Sequence, residues 1–85
     1  MSTAVITDAQ ARRNIGANIK RLLKEHGWSQ GELGRRSKES AMNISRIVNG
    51  VNLPNAAILA RIGEAFGVSS DYLISDHSKN SQKSA

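Results

Sequence analysis

The segment from Ser29 to Gly50 constrains the fold most, because it carries two helix-start signals in close succession. Ser29 and Ser40 each have a side-chain oxygen that can accept a hydrogen bond from a free N–H group in the first turn of a helix. Glu32 occupies the reciprocal capping-box position for Ser29, and a glycine at position 50 can end the second helix. The segment therefore predicts two short helices joined by a tight turn through residues 37–39.

Three further helices are predicted around this pair. Their capping residues are Thr7, Asn55 and Ser69, and the first two of these helices end at Gly27 and Gly67. Apolar residues recur at helical spacing in the two longer segments. Those residues are Ile15, Ile19, Leu22 and Leu23 in the first helix, and Ile58, Leu59, Ile62, Ala65 and Phe66 in the fourth. With no convincing strand pattern, we expect an all-α, compact five-helix domain.

The domain is expected to be flanked by two segments without a packing signal. Residues 1–7 show no apolar periodicity and are predicted to form a flexible N-terminal arm. Residues 8–75 are predicted to form the folded domain. Residues 76–85 are polar and serine-rich and are predicted to be a disordered tail.

Composition excludes several classes of protein. The 85 residues suffice for one small domain with little room for an active-site cavity. Cysteine is absent, and the two histidines, His26 and His77, lie far apart, so we expect no metal site. No nucleophile–base pair is evident, so we expect no catalytic residues, no cofactor and no enzyme. No apolar run approaches a membrane span of ~18 residues, which predicts a cytoplasmic protein with no membrane partner.

Positive charge is concentrated in the first half of the chain. The formal net charge is +5, and residues 12–46 contain nine basic and three acidic side chains. From residue 47 onward, three basic residues balance three acidic ones. A one-sided basic field is typical of a polyanion binder, although charge alone is equally compatible with a role in solubility.

The predicted third helix has two unlike faces. At ~100° per residue, Ile44, Ile47 and Val48 lie on one side, where they can anchor the helix to the core. The opposite arc is small or polar at its N-terminal end, with Asn43 at the border. Such a helix can enter the DNA major groove, which is about 12 Å wide.

The side chains of this region have the chemistry for two kinds of DNA contact. An arginine can bind guanine in a bidentate manner, an asparagine can pair with adenine, and small or apolar groups can contact a thymine methyl group. The predicted base-facing residues are Ser40, Ala41, Met42, Asn43, Ser45 and Arg46. The predicted phosphate-contacting residues are Ser29, Gln30, Asn49 and Asn52.

Simpler interpretations apply to several of these residues. An amphipathic third helix is by itself an ordinary surface helix, and Ser29 and Ser40 are helix caps before they are DNA contacts. Arg35 and Arg36 fit solvated charges better than base contacts. Residues 31–34 have the GXXG form of an RNA-binding KH domain, but that module needs strands that the sequence does not predict.

Four separated blocks of the sequence resemble the phage repressor/Cro-type helix-turn-helix regulators. The blocks are Ser29-Gln30-x-Glu32-Leu33, Asn43-Ile44-Ser45-Arg46-Ile47-x-Asn49-Gly50, Pro54, and Ala65-Phe66-Gly67-Val68-Ser69-x-Asp71-Tyr72-Leu73. The resemblance covers about residues 15–74. It implies a lambda-repressor-like fold in which helices 2 and 3 form the DNA-binding helix-turn-helix. It also implies binding of two-fold-related operator half-sites as a homodimer.

Three positions depart from the pattern of that family. The turn usually carries glycine where this chain has Lys38, and a left-handed lysine would cost roughly 1 kcal/mol. Gly34 stands where alanine is usual and permits close approach of a neighbouring helix. Trp28 replaces a smaller aliphatic residue and is expected to fill the core between the first and third helices.

The function that follows is sequence-specific binding of double-stranded DNA by a transcriptional regulator, expected to be a repressor. One alternative is a protein-interaction module such as a toxin-neutralising antitoxin with secondary autoregulatory DNA binding. Another is that the chain is one domain of a longer repressor. Val51 and Tyr72 are candidate dimer-interface residues, while Leu73 fits either an interface or the core. A small-molecule effector, the operator sequence and the sign of regulation stay open.

Overall fold

Five α-helices make up the fold in a computed structural model that describes residues 6–78. The helices are α1 (Asp8–His26), α2 (Gln30–Ser37), α3 (Ala41–Val48), α4 (Ala56–Phe66) and α5 (Ser70–Ile74). Within residues 6–78, all regular secondary structure is helical. The predicted all-α, five-helix architecture is therefore confirmed.

Each helix begins at the predicted capping residue. The side-chain oxygens of Thr7, Ser29, Ser40, Asn55 and Ser69 each accept a hydrogen bond from the backbone N–H three residues later. At the start of α1 the capping box is complete, because the side chain of Gln10 also accepts from the N–H of Thr7 at 3.0 Å. These caps satisfy donors that a helix leaves free in its first turn.

Glycine ends two helices as predicted, and the third helix ends slightly differently. Gly27 and Gly67 follow α1 and α4 in the left-handed conformation, with φ of 70° and 78°. The last residue of α3 is Val48, and Asn49 is its C-cap, so Gly50 (φ 75°) lies one residue beyond the cap. A left-handed residue lets the chain turn away from a helix with its last carbonyls satisfied.

One apolar core joins the helices. Its fully enclosed members come from different helices, including Ile19 of α1, Leu33 of α2, Ile44 of α3 and Ile62 of α4, each 0% exposed. Leu73 of α5 is also 0% exposed, so this residue belongs to the core and not to an interface. The predicted anchoring of α2 and α3 through their apolar residues is confirmed.

Asn18 is a buried polar residue that holds the end of α5. Its side-chain Nδ2 donates to the carbonyl oxygens of Leu73 at 2.7 Å and Ser75 at 2.8 Å. Asn14, one turn earlier on α1, donates to the carbonyl of Ile74 at 2.8 Å. These two amides partner backbone carbonyls at the end of α5, where a helix has no further N–H groups to offer.

Trp28 does not lie between α1 and α3, so that expectation was wrong. Its ring stacks on Phe66 of α4 with centroids 5.4 Å apart, and His26 lies beside both rings. The guanidinium of Arg36 lies over the indole ring, 4.2 Å from its centroid. The indole therefore covers the edge of the core between α2 and α4, where a large flat ring finds both an aromatic and a cationic partner.

The turn between α2 and α3 is held by close backbone packing. Lys38 is the C-cap of α2, with φ 63° and ψ 39°, and its N–H donates to the carbonyl of Gly34. A Cβ atom at position 34 would lie 2.6 Å from the carbonyl oxygen of Glu39, too close for the turn as it stands. The buried hydroxyl of Ser37 donates to the carbonyl of Leu33 at 2.7 Å. The expected close approach at Gly34 is confirmed.

The predicted arm and tail fall largely outside the described residues. Residues 1–5 and 79–85 are not described, so flexibility of the arm and disorder of the tail stay predictions. At the start of the tail, His77 contacts Tyr72 in an edge-to-face arrangement with centroids 4.0 Å apart. The polar composition of residues 76–85 did not predict this contact.

Lys38→Gly should stabilise the protein by about 0.5–1 kcal/mol. Lys38 is the one non-glycine residue with positive φ within residues 6–78, and glycine adopts this conformation without the steric cost of a Cβ atom. The free energy of unfolding in urea measures the change. Lys38→Ala is the matched control, because it removes the charge and keeps the Cβ atom. Equal stabilisation by both variants would show that charge, and not backbone conformation, limits stability here.

Candidate nucleic-acid interface

The two faces of α3 are separated as the sequence predicted. Ile44, Ile47 and Val48 are buried against the core. The opposite side, which we call the outer face of α3, consists of Ala41, Met42, Ser45, Arg46 and Asn49; all are exposed except the half-buried Ser45. A rigidly anchored helix with a continuous polar and small-residue surface is the shape that enters a major groove.

Met42 and Arg46 are the large side chains of the outer face. Met42 has 64% of its surface exposed. Arg46 follows it by one turn and is exposed, with no ion-pair partner within residues 6–78. An unpaired guanidinium beside an apolar group can bind a guanine edge and a neighbouring thymine methyl group.

Asn43 differs from the rest of the predicted base-facing set, because both ends of its amide are engaged inside the protein. Its Nδ2 donates to Oε1 of Glu39 at 2.8 Å, and its Oδ1 accepts from Nδ2 of Asn52 at 3.1 Å. The side chain is half-buried. A base contact by Asn43 would require the amide to leave these hydrogen bonds.

The same network continues into α4 through Arg61. Its Nη2 donates to Oε2 of Glu39 at 2.5 Å, and its Nε donates to the backbone carbonyl of Ser37 at 2.9 Å. The chain of contacts from Arg61 through Glu39 and Asn43 to Asn52 therefore joins α4, the α2–α3 turn, α3 and the loop after it. We call these four residues the turn network.

Sequence reasoning missed the turn network. Arg61 lies on α4, far along the chain from the turn, and nothing in the local pattern assigns a partner to a single arginine. Glu39 was predicted only as part of the turn. The weak available signal was a lone acidic residue directly before the Ser40 cap, in a segment that is otherwise basic.

The predicted phosphate contacts lie at two helix ends. Ser29 caps α2 and Gln30 is its first residue, so both are next to the free N–H groups and the positive end of the helix dipole. Asn49 caps the end of α3, and its Nδ2 lies 3.4 Å from the hydroxyl of Ser45. Asn52, in the following loop, is half-buried in the turn network.

Glu32 partly neutralises the positive charge of α2. Its carboxylate, instead of returning to Ser29 in a capping box, accepts from Arg35 and Arg36, each at 2.6 Å. These hydrogen bonds, that of Arg35 foremost, lower the pKa of Glu32 and raise the pKa of Arg35. The arginines of α2 are thereby paired on the protein surface, whereas Arg46 has no ion-pair partner within residues 6–78.

Neither a metal cluster nor a membrane helix is found in the described part of the chain. Across residues 6–78, no group of three or more His, Asp or Glu side chains could hold a metal ion. No helix in that range is long and apolar enough to cross a bilayer.

A helix-turn-helix family model matches residues 19–73, which include all of α2, α3 and α4. The chain belongs to the Cro-type helix-turn-helix family of DNA-binding regulators. The match confirms the resemblance seen in the sequence.

Two known proteins are similar to this chain. A competence pilus inhibition repressor from Acinetobacter baylyi (strain ATCC 33305 / BD413 / ADP1) is 35% identical over 69 residues. The alignment covers 79% of this chain and 63% of that repressor, so the chain spans less than two thirds of its curated relative. A crystal structure of a hypothetical transcription factor from Neisseria superposes with a TM-score of 0.81 at 16% identity. That superposition covers 100% of this chain and 96% of the Neisseria chain, which confirms the fold.

Arg61→Met should destabilise the domain by about 1–3 kcal/mol, because it leaves Oε2 of Glu39 and the carbonyl of Ser37 without the donors that Arg61 supplies. The Glu39 side chain is only 14% exposed, so water compensates little. Urea unfolding measures the effect. Arg35→Met is the matched control, since that ion pair is at the surface and should contribute little to stability. Similar losses for both variants would contradict a special role for the turn network.

Proposed function

We propose that this regulator is a repressor that binds a specific double-stranded DNA sequence with the outer face of α3. The observation that carries the proposal is the exposed Arg46–Met42 pair on a helix whose opposite face is buried and whose preceding turn is fixed by Arg61. A helix held at both its apolar face and its N-terminal turn can present side chains to base edges with a defined aim.

Direct base contacts belong to the outer face in this proposal. Arg46 would bind guanine O6 and N7, Met42 and Ala41 would contact thymine methyl groups, and Ser45 would donate or accept at a base edge. Ser40, which caps α3, would lie at the point where the helix enters the groove. Asn43 we assign chiefly to positioning, because its amide is held by Glu39 and Asn52.

Phosphate contacts set the register of the complex. The N–H groups at the start of α2, together with Ser29 and Gln30, would bind one phosphate, and Asn49 and Asn52 would approach another beyond the end of α3. Such contacts add affinity for any duplex and no base preference. The division between the two classes of contact is what mutations can test.

The regulator would bind as a dimer, because one α3 alone makes only a small interface with DNA. A single helix contacts only a few base pairs, and two half-sites about one helical turn apart raise specificity. Val51 and Leu53, which are 66% and 42% exposed, are apolar residues in the loop after α3. They are our candidates for the contact between protomers, because apolar groups on the surface near a binding helix are suited to a partner copy. The repressor activity is supported by the related Acinetobacter protein, whose name describes it as a repressor.

Selection from a random duplex library should return a two-fold symmetric site with half-sites about 10–10.5 base pairs apart. Affinity for that site should fall steeply with salt, since phosphate contacts release counterions. Fluorescence anisotropy against the selected site and a scrambled duplex gives both values. Recovery of random sequences, with equal affinity for both duplexes, would refute specific DNA recognition. Recovery of a single asymmetric site would refute the dimer alone.

Arg46→Ala should reduce affinity for the selected site by about 1–3 kcal/mol and relax base preference at one position of each half-site. Gln30→Ala should weaken binding to all duplexes more uniformly. Arg35→Ala is the charge-matched control, because Arg35 is 70% exposed and paired with Glu32. Selections repeated with each variant measure the preferences. Loss of preference with Gln30→Ala, or none with Arg46→Ala, would contradict these roles.

A further inference from the structure

A basic cleft lies where α1 meets the end of α3. We call it the α1–α3 cleft; α1 contributes Arg12, Arg13, Ala17 and Lys20, and residues 48–50 form the opposite wall. The cleft adjoins the outer face of α3 through Asn49. Three cationic side chains around a shallow depression are chemically suited to an anion.

Gly16 explains why these cations gather at the end of α3. A Cβ atom at position 16 would lie 2.5 Å from the carbonyl oxygen of Val48, so the α1 backbone lies directly against the last turn of α3. Arg12 and Lys20 are one turn before and one turn after Gly16 on the same face of α1. The close contact therefore places one cation on each side of the α3 terminus.

These cations have no acidic partner in the part of the chain that the structure describes. Within residues 6–78, the ion pairs use Arg21, Arg35, Arg36 and Arg61, and none uses Arg12, Arg13 or Lys20. Arg13 also borders a second groove, whose wall includes Asp76. Arg12 and Lys20 do not border that second groove.

Three carbonyls in the last turn of α3 already accept hydrogen bonds from the backbone. The carbonyls of Ser45, Arg46 and Ile47 accept from backbone N–H groups of residues 49–52 at 2.9–3.3 Å. The cations thus remain available to a ligand that approaches from solvent. In a complex with duplex DNA, a helix lying in the major groove has backbone phosphates at each of its ends.

We propose that the α1–α3 cleft binds a backbone phosphate of duplex DNA through Arg12 and Lys20. The inference rests on the proposed DNA binding and extends it to a helix outside the α2–α3 motif. Most of the segment that carries the cleft, including Arg12 and Gly16, precedes residues 19–73, where the family model matches. The contact extends the footprint of each protomer along the DNA backbone and adds affinity without base preference.

The test compares Lys20→Gln with Lys24→Gln. Both are exposed lysines on α1 that lose the same charge, and Lys24 is not part of the cleft. Duplex affinity is measured from 50 to 300 mM NaCl with the selected site and with a scrambled duplex. Lys20→Gln and Arg12→Gln should each make the negative slope of log K against log salt less steep, by about 0.9 per protomer, on both duplexes. Lys24→Gln should leave the slope within error of the unmodified chain.

Neutral methylphosphonate linkages locate the contacted phosphate. Replacing single phosphates of the selected site should reveal a position where affinity falls for the unmodified chain and for Lys24→Gln, but falls no further for Lys20→Gln. The cations could instead stabilise the negative end of the α3 dipole and so the fold. Thermal unfolding of each variant without DNA separates this structural role from DNA binding. A lower melting temperature for Lys20→Gln with an unchanged salt slope would overturn the proposal in favour of that structural role.

Failure of this inference is distinguishable from failure of the proposed function. If the unmodified chain prefers its selected site but all three variants share its salt slope, the cleft is not a phosphate site and specific DNA binding stands. If the unmodified chain binds both duplexes equally and Lys20→Gln still makes the salt slope less steep, the cleft contact stands and sequence specificity fails. Absence of any duplex binding would overturn both.

Discussion

The close contact between Gly34 and the carbonyl of Glu39 determines how α3 is placed relative to α2, and the outer face of α3 depends on that placement. Because position 34 lacks a Cβ atom, the backbone of α2 lies close to the turn and to the first residue of α3. The chain tolerates two local costs for this geometry, each about 1 kcal/mol: a glycine inside a helix and a left-handed lysine after it. Burial of Leu33 and Ile44, each 0% exposed, offsets such costs by about 1.5–3 kcal/mol per side chain.

The turn network supplies the direction that apolar packing alone cannot supply. Helices α2 and α3 have eight residues each, which is too short for stability in isolation. Apolar contacts through Leu33, Ile44 and Ile47 hold them against the core but leave some freedom of rotation and sliding. Hydrogen bonds are directional, so the contacts of Arg61 with Ser37 and Glu39 limit that freedom at the start of α3. The outer face of α3 is thus positioned by residues that are not part of that face.

The local sequence predicted features with local causes. A capping oxygen acts within three residues and a left-handed glycine acts at its own position, so helix starts, helix ends and the two faces of α3 were predictable. The predictions of a capping-box role for Glu32 and of the location of Trp28 were wrong. The partners of Asn18 and Asn43 were missed for the same reason. Each of these side chains has several chemically equivalent partners, and the fold selects among them. Glu32 binds two guanidinium groups one turn away, since charged donors outcompete a neutral N–H.

The distribution of charge also separates affinity from specificity. Glu32 pairs with Arg35 and Arg36 on α2, and Glu39 in the α2–α3 turn pairs with Arg61 of α4, so these arginines are engaged within the protein. The cations without acidic partners in residues 6–78 include Arg46 on the outer face of α3 and Arg12 and Lys20 beside its end. A charge that is paired internally must lose that pairing before it can bind DNA, whereas an unpaired charge exchanges only mobile counterions. Selective pairing therefore leaves Arg46, which the proposed function assigns to base recognition, without an ion-pair partner in the described residues.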